Sequence, residues 1–149
     1  MEIERKFLVD KTEWEKVEKP SPKKIVQAYI SNSPEKTVRA RIKGSKGFLT
    51  IKGATVGISR NEFEYEIPVE EAEEMIRLFA EKIISKDRYE IKVGNHLWEI
   101  DEFHGNLEGL ILAEIELSNE YETFEQPIWA TEEVSTDINY YNSKLIERC

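Results

Sequence analysis

The first nine residues, MEIERKFLV, place two carboxylates and an ammonium, Glu2, Glu4 and Lys6, on alternate positions, with Ile3, Phe7 and Val9 filling most of the places between. The pattern returns along the chain. Arg39, Arg41 and Lys43 oppose Val38, Ala40 and Ile42; Lys52 shares the parity of Thr50 and Phe48 against Leu49 and Ile51. Glu62, Glu64 and Glu66 oppose Phe63, Tyr65 and Ile67, and Lys86, Arg88, Glu90 and Lys92 oppose Tyr89, Ile91 and Val93. Glu99 and Asp101 oppose Trp98 and Ile100, and Glu114 and Glu116 oppose Ala113, Ile115 and Leu117. A strand turns successive side chains to opposite faces, so each segment has one charged and one apolar face.

A half-solvated antiparallel sheet also alternates in this way. Such a face usually mixes Ser, Thr, Asn and Gln with isolated charges, whereas here nearly every position is Glu, Asp, Lys or Arg. The signs are also segregated, basic in VRARIK and LTIK, acidic in FEYE and AEIE, mixed in EIERK. If the charged faces converge, the interior must stay hydrated, pair its charges or hold ionic ligands. Arg and Lys suit phosphate oxygens, and carboxylates suit hard divalent cations. A polyphosphate accompanied by Mg²⁺ or Mn²⁺ meets both demands.

Eight extended runs, at 3–9, 25–30, 37–43, 48–52, 61–67, 83–93, 96–103 and 110–117, can supply that enclosure. Gly, Pro, Ser and Asn clusters at 19–24, 31–34, 43–47 and 52–57 separate several of them, and Val93-Gly94-Asn95-His96 is the clearest hairpin turn. Ala72, Met75, Ile76, Phe79 and Ala80 predict a helix over 69–81, just after Pro68. Thr12 is a candidate cap for a short helix through Lys16 and Val17, and Asp137 for one from Ile138 toward Leu145. The stretch 118–136 reads as loop. The fold class is therefore α+β, mainly β: eight strands, mostly in antiparallel hairpins, with a few flanking helices.

At 149 residues the chain is most simply one domain. A net charge of −9 argues against nonspecific nucleic-acid binding. No apolar run approaches the ~20 residues of a membrane span, and the N-terminus lacks the pattern of a secretory leader. Cys149 is the one cysteine, which excludes an internal disulfide and fits a reducing cytoplasm. His96 and His104 have no matching partners for a zinc site. If Ile3, Phe7, Ile51, Phe63, Tyr65, Trp98, Ile100 and Ile115 face outward, three short helices can cover only part of them, which predicts a homodimer.

Glu2 to Val9 resembles the ExExK signature of the CYTH superfamily, the triphosphate tunnel metalloenzymes. VRARIK, LTIK, FEYE, KDRY, WEIDEF and AEIEL are similar to the rest of that pattern, in order and across nearly the whole chain. The resemblance implies an eight-stranded antiparallel β-barrel with a few flanking helices, forming a tunnel for a small-molecule triphosphate with Mg²⁺ or Mn²⁺. The short chain most resembles the compact bacterial members that cleave inorganic tripolyphosphate. By that likeness Lys6, Arg39, Arg41, Lys43, Lys52, Lys86 and Arg88 are expected on phosphate oxygens. Glu2, Glu4, Glu62, Glu64, Asp101, Glu114 and Glu116 are expected as metal ligands, one or two ions being held.

Glu4, Glu62, Glu64, Lys86 and Tyr29 are the catalytic candidates, Tyr29 having core packing as its alternative. Lys144 is either a tunnel donor from a C-terminal plug helix or a solvated lysine. Other family activities are class IV adenylyl cyclase and thiamine or nucleoside triphosphatase. These need an organic pocket, and Trp14, Trp98 and Trp129 are scattered along the chain. A noncatalytic polyphosphate-binding module and a plain sheet with solvated charged faces are the readings from other classes.

Overall fold

A computed structural model describes all residues from Met1 to Cys149. Its strands are β1 (Glu2–Val9), β2 (Lys23–Ser33), β3 (Lys36–Lys43), β4 (Lys46–Gly53), β5 (Ser59–Arg60), β6 (Glu62–Ile67), β7 (Ile84–Val93), β8 (His96–Phe103), β9 (Ile111–Glu116) and β10 (Ala130–Glu133). The helices are α1 (Lys11–Glu15), α2 (Val69–Phe79) and α3 (Asn142–Leu145). The sheet is antiparallel, in the order β10-β1-β9-β8-β7-β2-β3-β4-β6, and β5 also pairs with β1. Two short strands, β5 and β10, thus add to the eight expected, and both lie on the free side of β1.

These two strands decide how far the tunnel closes. β6 forms no ladder with β1; the two ends of the sheet meet through Glu2 opposite Arg60, Ile3 opposite Ser59 and the Glu4 N–H donating to the Ile58 carbonyl at 3.3 Å. The Arg60 guanidinium reinforces that seam by donating to the Gly53 carbonyl at 2.8 and 3.1 Å. The rest curls through hairpins, two of which turn on Gly44 and Gly94 at φ of 61° and 62°. A tight two-residue hairpin loop places a positive φ there at no cost only for glycine.

Much of the outward apolar face is covered by the chain itself. Phe7, Trp98, Ile100, Ala113 and Ile115 pack under Trp14 of α1 and under Leu117, Trp129 and Ala130. The rings meet at steep angles, Trp98 on Trp129 at 5.6 Å and Trp14 on Trp129 at 5.3 Å between centroids, the arrangement aromatic quadrupoles favour. The 118–136 stretch, expected as loop, therefore supplies part of a core and the strand β10. The cap of α1 is Asp10 rather than Thr12: its Oδ1 accepts from the Glu13 N–H at 3.0 Å.

α2 lies across β3 and β4 and ends at Phe79. The approach depends on Gly47, because a Cβ there would meet Ala72 Cβ at 2.8 Å. Beyond the helix Ile51, Phe63 and Tyr65 stay exposed. At the C-terminus the expected single helix is broken. Asp137 caps a 3₁₀ turn over Ile138–Tyr140, Tyr141 is extended, and α3 follows. Leu145 and Ile146 then bury against Ile84, Phe103, Leu107 and Leu112.

Candidate active site

Strand register turns the charged parities inward together. Lys6 stands opposite Glu114, Glu4 opposite Glu116, and Glu99 opposite Glu114. Arg88 stands opposite Asp101, Gln27 opposite Arg41, and Tyr29 opposite Arg39. Arg39 faces Thr50, and Lys52 faces Glu62. Lys6, Arg39, Arg41, Lys86, Arg88, Asp101 and Glu114 are all buried. Ile84, Phe103 and Leu112, of the same inward parity, end the polar zone where Leu145 and Ile146 plug it.

Half of this interior is neutralised within itself. Asp101 accepts from Arg88 Nε and Nη2 at 2.8 and 2.9 Å and is 2.8 Å from Lys86 Nζ. Burial alone would raise the Asp101 carboxyl, and the Arg88 and Lys86 charges instead pull it far below the usual range. Glu114 is 3.5 Å from Lys6 Nζ, and despite burial that charge and Arg88 hold it at about 2. Lys86 also donates to Asn142 Oδ1 at 3.1 Å. Burial outweighs the Asp101 charge there and brings the Lys86 ammonium down to about 7.

The other half is not neutralised. Arg39 is buried with no carboxylate in salt-bridge reach, and its Nε–H has no acceptor. Arg41 meets one, Glu64, at 3.5 Å, and its Nε–H is also unpartnered. Burial, then Arg39 and Arg88, lower the Arg41 guanidinium to about 10. On β1 the complementary problem appears. Burial, then Glu114 and Glu2, raise Glu4 well above the carboxylate range. Burial and Glu62 raise Glu2 despite Lys52 at 2.9 Å, and burial with Glu2 and Glu99 raises Glu116.

Most of the expected residues thus share one interior, with differences in detail. Asp101 was expected as a metal ligand, but the cations on both its oxygens make it their counter-ion instead. Glu64 and Glu116 are exposed, at the rim rather than in the depth. Lys43 is half-buried, 3.9 Å from Glu90. Lys144 points to solvent and pairs with Glu147 at 2.9 Å, because Leu145 and Ile146 take the inner side of that turn. Tyr141, Asn142 and Ser143 reach the cavity in its place.

A polar cavity enclosing about 670 Å³, its open mouth included, runs along Glu2, Glu4, Lys6, Arg39, Thr50 and Lys52, and Tyr29 lines it too. Thr37, Thr50, Arg60, Ser135 and Asn142 also line it and were not expected. The inward parity of Thr37 and Thr50 was readable; the placement of Ser135 and Asn142 depends on the chain returning from its far end. No three acidic side chains converge on one point. The donor set nevertheless fits a hard divalent ion: Glu4 of β1 stands directly opposite Glu116 of β9, with Glu2 and Glu114 on the same faces, and Glu4 lacks a cation within salt-bridge reach. The arrangement can hold a polyanion between guanidinium groups and cation-starved carboxylates.

Comparison with known proteins gives the same picture. The CYTH domain model matches residues 1–149. An inorganic triphosphatase of Acetivibrio thermocellus is 44% identical over 147 residues, covering 98% of this chain and 93% of that protein. An inorganic triphosphatase of Nitrosomonas europaea is 34% identical over 149 residues, covering 97% and 95%. A crystal structure of an inorganic triphosphatase superposes with a TM-score of 0.67 at 31% identity, covering 98% of this chain and 94% of that one.

Proposed function

This chain belongs to the CYTH domain family, and on that premise we propose that it is a divalent-metal-dependent inorganic triphosphatase, cleaving tripolyphosphate to pyrophosphate and phosphate. The observation that carries the reading is the unneutralised half of the tunnel. Buried Arg39 has no anion and Arg41 only Glu64 at 3.5 Å, and Glu4 beside Glu2 and Glu114 has no cation within salt-bridge reach. A metal–polyphosphate complex supplies both. The 44% identity to an inorganic triphosphatase supports it.

In this reading Arg39, Arg41 and Arg88, with Lys6 and Lys52, hold the phosphoryl oxygens, and Lys43 acts nearer the rim. Glu2, Glu4, Glu62 and Glu114, with Glu64 and Glu116 at the rim, would hold Mg²⁺ or Mn²⁺. The ion, when bound, neutralises phosphoryl charge and acidifies a coordinated water. Asp101 keeps Arg88 charged and fixes its fork. Lys86 Nζ, lowered to about 7, can take up a proton near neutral pH, with Asn142 Oδ1 holding it in line. Tyr29 stands opposite Arg39, placed to orient the same anion.

The cavity is lined by fifteen residues, of which three are hydrophobic. That scarcity favours an inorganic substrate over the thiamine, nucleotide or cyclase alternatives, which add an organic group. The raised carboxylates oppose a metal-free binding module, because unaccompanied acidic groups repel a polyanion. No helix is long and apolar enough to cross a membrane. We place the enzyme in the cytoplasm, and assign the open face of Ile51, Phe63 and Tyr65 to a second copy of the chain; a monomer mass by light scattering at micromolar concentration would contradict that.

The test is phosphate release from tripolyphosphate, ATP, thiamine triphosphate and pyrophosphate, each with Mg²⁺, Mn²⁺ or EDTA. Turnover greatest on tripolyphosphate and abolished by EDTA is expected. Conversion of ATP to cyclic AMP, or tight binding without turnover, would overturn the assignment.

A further inference from the structure

Five buried side-chain polar atoms lack a hydrogen-bond partner: both Gln27 amide atoms, Arg39 Nε, Arg41 Nε and Trp98 Nε1. The first four belong to neighbouring strands and one face. Gln27 stands directly opposite Arg41 on β3 and opposite Ile84 on β7, sharing its inward parity with Tyr29. It is fully buried. A buried amide with neither end satisfied is costly, and native structures rarely leave one without a reason.

Its place supplies the reason. On one side lies Ile84, whose side chain offers no donor or acceptor. On the other lie Arg39, which lines the cavity with no carboxylate in salt-bridge reach, and Arg41, whose one carboxylate is Glu64 at 3.5 Å. We propose that Gln27 is a substrate-binding residue of the tunnel, its Nε2 donating to a non-bridging oxygen of the phosphoryl group held by Arg39 and Arg41. Its Oε1 then accepts from Arg41 Nε, and Arg39 Nε donates to the same phosphoryl group, so that all four orphaned atoms of the three residues find partners. The neutral amide adds a donor beside guanidinium groups that already repel one another, where a further cation would raise the repulsion and a carboxylate would repel the substrate. This inference rests on the triphosphatase reading and deepens it.

A residue retained for binding and a residue retained for packing differ in the free protein. Removing an unsatisfied buried amide leaves the fold no worse. Gln27→Met should keep or raise the melting temperature without ligand. It should raise KM for tripolyphosphate about tenfold with kcat little changed, as loss of one hydrogen bond to a charged group predicts. Gln27→Glu should raise KM further, and it carries the test if methionine does not pack. The second readout is the rise in melting temperature that tripolyphosphate induces in the presence of EDTA, expected to shrink in both variants.

Unchanged KM and an unchanged ligand-induced shift would overturn the inference, as would a large loss of stability in Gln27→Met with binding intact. A wild-type protein without turnover would overturn the triphosphatase reading instead, and the melting shift with tripolyphosphate would still decide the role of Gln27.

Discussion

Two parts of one tunnel carry the same residue types to opposite ends. Around Asp101 the charges are matched: Arg88 forks onto the carboxylate and Lys86 closes on its second oxygen at 2.8 Å. Across the lumen, Arg39 has no counter-ion, and Glu4 is pushed up by burial and by neighbouring carboxylates. The matched part can stand alone, since buried ions are tolerated when paired and hydrogen-bonded. The unmatched part leaves buried charge without a partner in the chain, which in the proposed function ions from solution would supply. The contrast separates charges paired within the chain from charges that the proposed function assigns to ligand, a division that residue type alone does not draw.

Substitutions on the two sides should differ in what they damage. Asp101→Asn leaves Lys86 uncompensated in the interior and Arg88 with Glu99 alone at 3.2 Å, so unfolding by urea should show a loss of about 3–5 kcal/mol. A near-neutral result would erase the distinction. Arg39→Ala should lower kcat/KM for tripolyphosphate by roughly 10²–10³, the scale of removing one preorganised charge-stabilising donor. Its urea midpoint should hold or rise, because no partner is orphaned. Glu4→Gln should reduce metal-dependent turnover by roughly 100-fold, at the upper end for disturbing a metal environment. It should also raise the thermal midpoint of the metal-free protein by removing a charge the fold disfavours.

The same contrast predicts a pH dependence of smaller size. Glu2, Glu4 and Glu116 titrate higher in the folded state than unfolded. The folded state therefore binds more protons, and their contribution to stability falls as pH rises from the ordinary carboxylate value through the raised ones. Asp101 and Glu114 act in the opposite sense, Glu114 lying at about 2, so their stabilisation is lost as pH falls through the acid range. Melting temperatures of wild type and Glu4→Gln between acid and neutral pH should diverge most at the neutral end. Smallest of all, Lys144→Ala should change stability by no more than about 0.5 kcal/mol and leave turnover intact. A large loss would place that ammonium in the tunnel after all.

The charged wall was legible because strand parity is a local property: once β1, β3, β7 and β9 are extended, Glu4, Arg39, Arg88 and Glu114 must fall on one face each. Which partner each charge finds was not legible. Asp101 is matched because β7 and β8 bring Arg88 directly opposite, and Glu2 meets Lys52 because two residues of β5 stitch the sheet ends together. Those outcomes depend on register and closure, which are long-range. The cover supplied by Trp129 and β10 was invisible for a related reason, since single aromatic anchors show no period. Gln27 was passed over because a neutral amide among charged neighbours stands out only once its burial is known.

Calorimetric titration of tripolyphosphate into wild type and Arg39→Ala, with and without Mg²⁺, tests the unmatched half most directly. The account predicts that wild type binds tripolyphosphate more tightly with Mg²⁺ than without, and that Arg39→Ala loses most of that affinity while its fold is unchanged. Equal binding by both proteins, indifferent to Mg²⁺, would contradict it.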